Sequence, residues 1–142
     1  MSNSDERVAV AIGAASGIGW ATARALAVDG CRVVIADRNI DGAKANAAEL
    51  GSPHTAATAD VIHEESVQRL FDETGPVDVV VNCAGFSNVG LITDMPVEDF
   101  RSVVDVCLNG AFIVAKHAGR HLREGARWSR SAHSTGASPQ QA

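Results

Sequence analysis

Gly13, Gly17, Gly19 and Asp37 are the residues of this chain whose types and spacing could hold a ligand. A Gly-x-x-x-Gly-x-Gly segment lets the backbone turn sharply and come close to a bulky anion, because no Cβ stands between them. Where such a segment opens a helix, unpaired N–H groups and the positive end of the helix dipole face that anion. Ser16 and Ile18 lie between the glycines and belong to the same candidate site. Asp37 follows Gly19 by 18 residues. A carboxylate at that separation can accept hydrogen bonds from ribose hydroxyls, and it repels a 2′-phosphate. The combination points to a dinucleotide, with NAD favoured over NADP. Arg38, beside the carboxylate, is a cation that could accommodate the extra phosphate.

These residues need a particular set of elements to position them. Residues 7–12 form a short apolar run that reads as a buried parallel strand. Residues 18–29 are alanine-rich with apolar residues at helical spacing. The rest of the chain continues the alternation: strand 32–36, helix 40–50, strand 55–59, helix 63–74, strand 77–82, loop 83–96 and helix 97–122, with a break expected near Val103. Gly51-Ser52-Pro53 and Gly75-Pro76 punctuate two of the helix ends. Strands alternating with helices imply an α/β fold of Rossmann type, a doubly wound parallel sheet covered on both faces. The expected strand order is 3-2-1-4, truncated after the fourth strand and its following helix. The ligand belongs beyond the carboxyl ends of the strands, where Gly13, Asp37, Asp60 and Asn82 converge.

Strand, glycine loop, helix, strand and terminal acid in this order resemble the short-chain dehydrogenase/reductase family. The family signature Thr-Gly-x-x-x-Gly-x-Gly is matched by Ile12 to Gly19, with Ile12 in place of the threonine whose hydroxyl braces the turn. Asp60-Val61 resembles the family's adenine-contacting pair. Asn82-Cys83-Ala84-Gly85 resembles its Asn-Asn-Ala-Gly motif, with Cys83 replacing an asparagine. The resemblance implies cofactor-binding roles for Asp60, Val61, Asn82, Ala84 and Gly85, and it matches Asn109 to the family's catalytic helix asparagine. It extends from Arg7 to about Gly125 and implies hydride transfer between a nicotinamide and an alcohol or ketone carbon of a small molecule.

The family's other catalytic residues are a serine after the fifth strand and a Tyr-x-x-x-Lys pair on the next helix. This chain contains no tyrosine, and Lys116, the only lysine of its last predicted helix, has no tyrosine before it. A positioned acid/base contributes orders of magnitude to rate, so the chain as given is expected to be inactive. The alternative to an oxidoreductase is a non-catalytic NAD-binding or interaction remnant. Residues 1–125 read as an incomplete NAD(P)-binding domain. Residues 126–142 read as an irregular tail, because Gly125 to Ala142 contains no Val, Ile, Leu, Phe or Met and no acid. A shifted reading frame could turn this tail into an apolar strand ending in serine; a disordered segment is the other reading.

Composition narrows the partners. The net charge is −5 with no basic block before the tail, which argues against nucleic acid. No apolar run approaches membrane-spanning length, and Met1 to Glu6 is polar, so a cytoplasmic protein without membrane contact is expected. Cys31, Cys83 and Cys107 lack metal-type or CxxC spacing and read as buried thiols. Cys83, next to the cofactor loop, could alternatively be reactive. His117 and His121 are four apart on one helix, but no third ligand accompanies them; they read as polar-face or interface histidines, with no metal. Glu64-Glu65, Asp72-Glu73 and Glu98-Asp99 read as solvated charge. Ser87 and Asn88 could touch nicotinamide or substrate, or could be plain loop residues. Without a fifth strand, residues 79–81 would form an exposed apolar edge, so a homo-oligomer or self-associating chain is expected.

Overall fold

Val8–Ile12 is five apolar residues in a row, and all five are buried. Such an unbroken run is what a strand needs when both faces of its sheet are covered. A computed structural model describes residues 6–130, with side chains through residue 124. The elements run β1 (Val8–Ile12), α1 (Gly17–Val28), β2 (Arg32–Asp37), α2 (Ile40–Leu50), β3 (Thr55–Thr58), α3 (Glu64–Thr74), β4 (Val77–Asn82) and α4 (Val97–Val104). A π-helical turn (Asp105–Asn109), α5 (Gly110–His121) and β5 (Leu122–Arg130) follow. The strands form one parallel sheet in the order β3-β2-β1-β4-β5.

The period of two along each strand divides the core into two layers. Val8, Val10 and Ile12 face the larger layer with Val34, Val80 and Phe71, under α3 and α5. Ala9 and Ala11 face the other layer with Val33, Ile35, Ala23 and Ala43, under α1 and α2. Small side chains on that second face let both helices lie close to the sheet. Phe71 and Leu70 fill the first layer, so α3 is the helix with the most bulk turned inward.

One expectation is corrected. The sheet does not stop at four strands: Leu122–Arg130 pairs in parallel with β4, with Val80 opposite Trp128 and a register irregularity between Val77 and Val79. β4 is therefore internal. The reason is that backbone N–H and C=O groups along β4 offer a ladder that a neighbouring segment can join whatever its side chains. The apolar signal used to look for a strand is a packing signal, not a backbone requirement. Residues 131–142 of the expected tail lie outside the described residues.

The break expected near Val103 in helix 97–122 falls after Val104, where the π-helical turn joins α4 to α5, and the chain leaves helical geometry at Leu122. The turn adjoins a tight crossing. A Cβ at Gly110 would lie 2.6 Å from Val61 Cγ2. Among the described residues, no helix is long and apolar enough to cross a membrane.

Candidate functional site

The strand order reverses between β1 and β4, and the crevice beyond the carboxyl ends at such a point is where open α/β sheets bind ligands. A cleft of about 270 Å³ lies there. The turn from β1 into α1 forms one wall, the end of β2 another, and the segments after β3 and β4 close the remainder.

Gly13 has φ +75° and Gly17 has φ +57°, both in the region that favours glycine. They serve different ends. A Cβ on Gly13 would lie 2.7 Å from Ala84 N and 2.8 Å from the Cys83 carbonyl carbon, so the first glycine lets two site-forming segments touch. A Cβ on Gly17 would meet nothing within 4 Å, so the space beside it is open to a ligand. A Cβ on Gly19 would run into the Gly13 backbone, which keeps the start of α1 against the turn. At Ser16 the helix begins with extended backbone and no side-chain cap, leaving its first N–H groups toward the cleft.

Asp37 ends β2 and is partly buried. Its Oδ2 accepts from Ala15 N at 3.0 Å and its Oδ1 accepts from Asn39 N at 2.9 Å. The carboxylate thus ties the glycine turn to the start of α2 and keeps lone pairs for a ligand. Gly13 N donates to the Ala36 carbonyl at 2.8 Å. Ile12, which has no hydroxyl with which to brace the turn, is fully buried in the core, and its carbonyl accepts from Cys83 N at 2.8 Å. Beyond β3, Asp60 N donates to Ser66 Oγ at 3.0 Å, and Asp60 Oδ1 accepts from Ile62 N at 3.3 Å. These bonds fix a turn at the C-terminal end of β3.

The structure brings Gly13, Ser16, Gly17, Ile18, Gly19, Asp37, Arg38, Asp60, Val61, Ala84 and Gly85 to this one cleft. Asn82 does not line it. It is buried beneath, and its Oδ1 accepts from Ala84 N at 3.1 Å, shaping the turn after β4. Asn109 does not line it either. Its amide is exposed and donates to Asp105 Oδ1 at 2.9 Å. From the same turn, Val106 lines the cleft, and Cys107 Sγ lies 3.5 Å from the Phe86 carbonyl. Ser87 and Asn88 are exposed and lie outside the lining.

Ala59, Cys83, Phe86 and Val106 line the cleft without having been singled out for it by local pattern. Helical period does not single out Val106, because the π-helical turn (Asp105–Asn109) interrupts the 3.6-residue repeat there.

The histidines lie elsewhere, and of the two alternatives, polar face or interface, they take the interface. His117 is 2% exposed, and its Nε2 donates to Glu64 Oε1 at 2.9 Å. Lys116 Nζ donates to the same oxygen at 2.6 Å. These two donors, Lys116 foremost, hold the Glu64 carboxyl below the usual carboxylate range. His121 Nε2 lies 3.3 Å from Asp72 Oδ1, and its ring stacks on Phe71. Both histidines therefore fasten α5 to α3. Among the described residues, no group of three or more His, Cys, Asp or Glu is placed to hold a metal.

Comparison with known proteins agrees with this architecture. Residues 13–137 match the family model described as enoyl-(acyl carrier protein) reductase. The chain is 36% identical over 127 residues to D-threitol dehydrogenase of Mycolicibacterium smegmatis, covering 84% of this chain and 49% of that protein. It is 37% identical over 121 residues to human 3-oxoacyl-[acyl-carrier-protein] reductase, covering 82% and 51%. It is 32% identical over 127 residues to sorbitol dehydrogenase of Cereibacter sphaeroides, covering 87% and 50%. The chain spans about half the length of these curated relatives. Glycine turn, strand-end carboxylate and five-stranded parallel order thus coincide with a sequence match across most of the chain, and the chain belongs to the short-chain dehydrogenase/reductase family.

Proposed function

We propose that this chain is the NAD-binding half of a short-chain oxidoreductase that interconverts an alcohol and a ketone. The observation that carries the reading is the meeting, in one cleft, of a glycine turn at a helix start and a carboxylate at the end of the neighbouring strand. The open space beside Gly17 and the uncapped start of α1 suit a pyrophosphate. Asp37 would accept from the adenosine ribose hydroxyls, Arg38 would flank them, and Asp60 and Val61 would border the adenine. Ala84 and Gly85 would line the path toward the reacting end. A bound nicotinamide dinucleotide supplies hydride chemistry, and the protein supplies placement and proton transfer. The relatives' names cover polyol and 3-oxoacyl substrates, which share a carbon that cycles between alcohol and ketone. A reducing cytoplasmic setting accords with cysteines that carry no pairing or metal spacing.

A second reading is a dinucleotide-binding module without turnover. It is favoured by the exposed Asn109 amide, which bonds to Asp105 and does not line the cleft. Calorimetric titration with NAD and NADP, followed by a turnover assay on a polyol and ketone panel, tests both readings. NAD is expected to bind at least about tenfold more tightly than NADP, and Asp37→Ala to weaken NAD about tenfold, the worth of one charge-assisted hydrogen bond, while narrowing the gap. Unchanged preference in Asp37→Ala removes Asp37 from the site. Absence of binding to either dinucleotide sinks both readings, and turnover decides for the first.

A further inference from the structure

The glycine turn is held from outside by a residue that does not line the cleft. Asn46, half-buried on α2, donates from Nδ2 to the Ala14 carbonyl at 3.0 Å and to the Ala15 carbonyl at 2.9 Å. An asparagine amide has two N–H donors, and here each meets one carbonyl of the turn. The approach is close because α2 begins against the turn: a Cβ on Gly42 would lie 3.0 Å from Ala15 Cβ. Asn39 caps that helix, its Oδ1 accepting from Gly42 N at 3.1 Å.

Peptide planarity turns these bonds into an orientation. In a trans peptide the C=O and N–H point opposite ways. The Ala14–Ala15 peptide is therefore held at both ends, by Asn46 at its carbonyl and by Asp37 at its N–H. The Ala15–Ser16 peptide has its carbonyl on Asn46, so the Ser16 N–H points away from α2. If the Ala15–Ser16 plane flipped, a carbonyl oxygen would replace an N–H where negative charge is to bind. Donors fixed before the ligand arrives need no reorganisation when it does, which raises affinity.

We propose that Asn46 is a positioning residue for the pyrophosphate of the dinucleotide. It keeps the Ala14 and Ala15 carbonyls on the α2 side, which leaves the Ser16 N–H available to the anion while the Ala15 N–H stays on Asp37. The inference rests on the cofactor reading above and adds a residue outside the motif.

The test compares the wild-type chain, Asn46→Ala and Asn46→Asp. Calorimetry with ADP and with adenosine separates pyrophosphate binding from nucleoside binding. ADP affinity is expected to fall about tenfold in Asn46→Ala, the worth of roughly one net hydrogen bond, with adenosine affinity unchanged within about twofold. Asn46→Asp should lose more, because a carboxylate facing two carbonyls repels them. Equal losses for ADP and adenosine, or an unchanged ADP affinity, would overturn the proposal. Asn46→Asp, close in volume to the native residue, supplies the same comparison if Asn46→Ala does not fold. Amide hydrogen exchange across residues 14–18 without ligand separates this proposal from the cofactor reading. If wild type binds neither ADP nor NAD, the cofactor reading fails. In Asn46→Asp, faster exchange there with unchanged exchange along β2 supports the positioning role. Exchange equal to wild type overturns it.

Discussion

Gly13 carries two constraints at once. Its φ of +75° is costly for any residue with a Cβ, and a Cβ there would strike the backbone of residues 83 and 84. Gly13→Ala should therefore destabilise the fold by about 1–3 kcal/mol from the backbone conformation alone, with the collision added. Gly17→Ala meets no protein atom, so it should show the backbone cost alone while intruding on the ligand space. Urea unfolding of the two variants checks this: equal losses would refute the distinction. The glycines, Asp37 and Asp60 were legible in sequence because the motif compresses a turn and its ligand approach into a few adjacent residues. Asn46 was not legible, since its role depends on where α2 lies across the turn. Asn109, matched by residue type, is exposed and bonds to Asp105 on its own turn.

At the scale of elements, α5 is fixed to α3 by an ion cluster over a stacked ring. Glu64 accepts from both Lys116 and His117, and its carboxyl titrates below the usual range. A depressed carboxylate pKa contributes stability that is present above the unfolded pKa and lost as pH falls through the folded one. Glu64→Gln should therefore lower the urea midpoint at pH 7, and the gap to wild type should close on acidification through the carboxylate range. A gap independent of pH would show that Glu64 acts through packing and not through its charge. Phe71, on the same helix, is fully buried and stacks against His121. Phe71→Ala should cost about 3–5 kcal/mol, as other large-to-small aromatic substitutions in cores do, measured by the same denaturation. The amphipathic pattern of α3 was readable in sequence, but the partner of each polar side chain was not. For His117 the pattern leaves polar face and interface both open until α3 is placed against it.

Across the whole molecule, apolar side chains remain on the surface beyond β4. Phe100 is 61% exposed and Phe112 is 68% exposed, and Val97, Leu108, Leu91 and Ile92 are exposed on the same stretch of chain. Exposed apolar surface of this kind marks association sites or aggregation liabilities. β5 covers the β4 edge on which self-association was expected, so we propose the helices after β4 as the associating face instead. The chain should elute above its monomer mass at high concentration. Phe100→Glu combined with Phe112→Glu should move it toward the monomer without altering dinucleotide affinity, because neither residue lines the cleft. Light scattering that shows a monomeric wild type at all concentrations would refute this.

The sequence by itself determined the alternation of strands and helices, the parallel order of the first four strands and the residues of the glycine turn. Each follows from local period, turn chemistry and the restricted handedness of strand connections. Only the tertiary structure decided that residues 122–130 join the sheet, because β4 supplies the backbone partners that side-chain pattern cannot reveal. It also decided which polar groups serve the cleft. Asn82 supports from below, Asn46 holds the turn from α2, and Asn109 faces outward. Those three share one side-chain chemistry. What distinguishes them is the direction each amide points once distant segments have packed, and that direction is a property of the assembled fold.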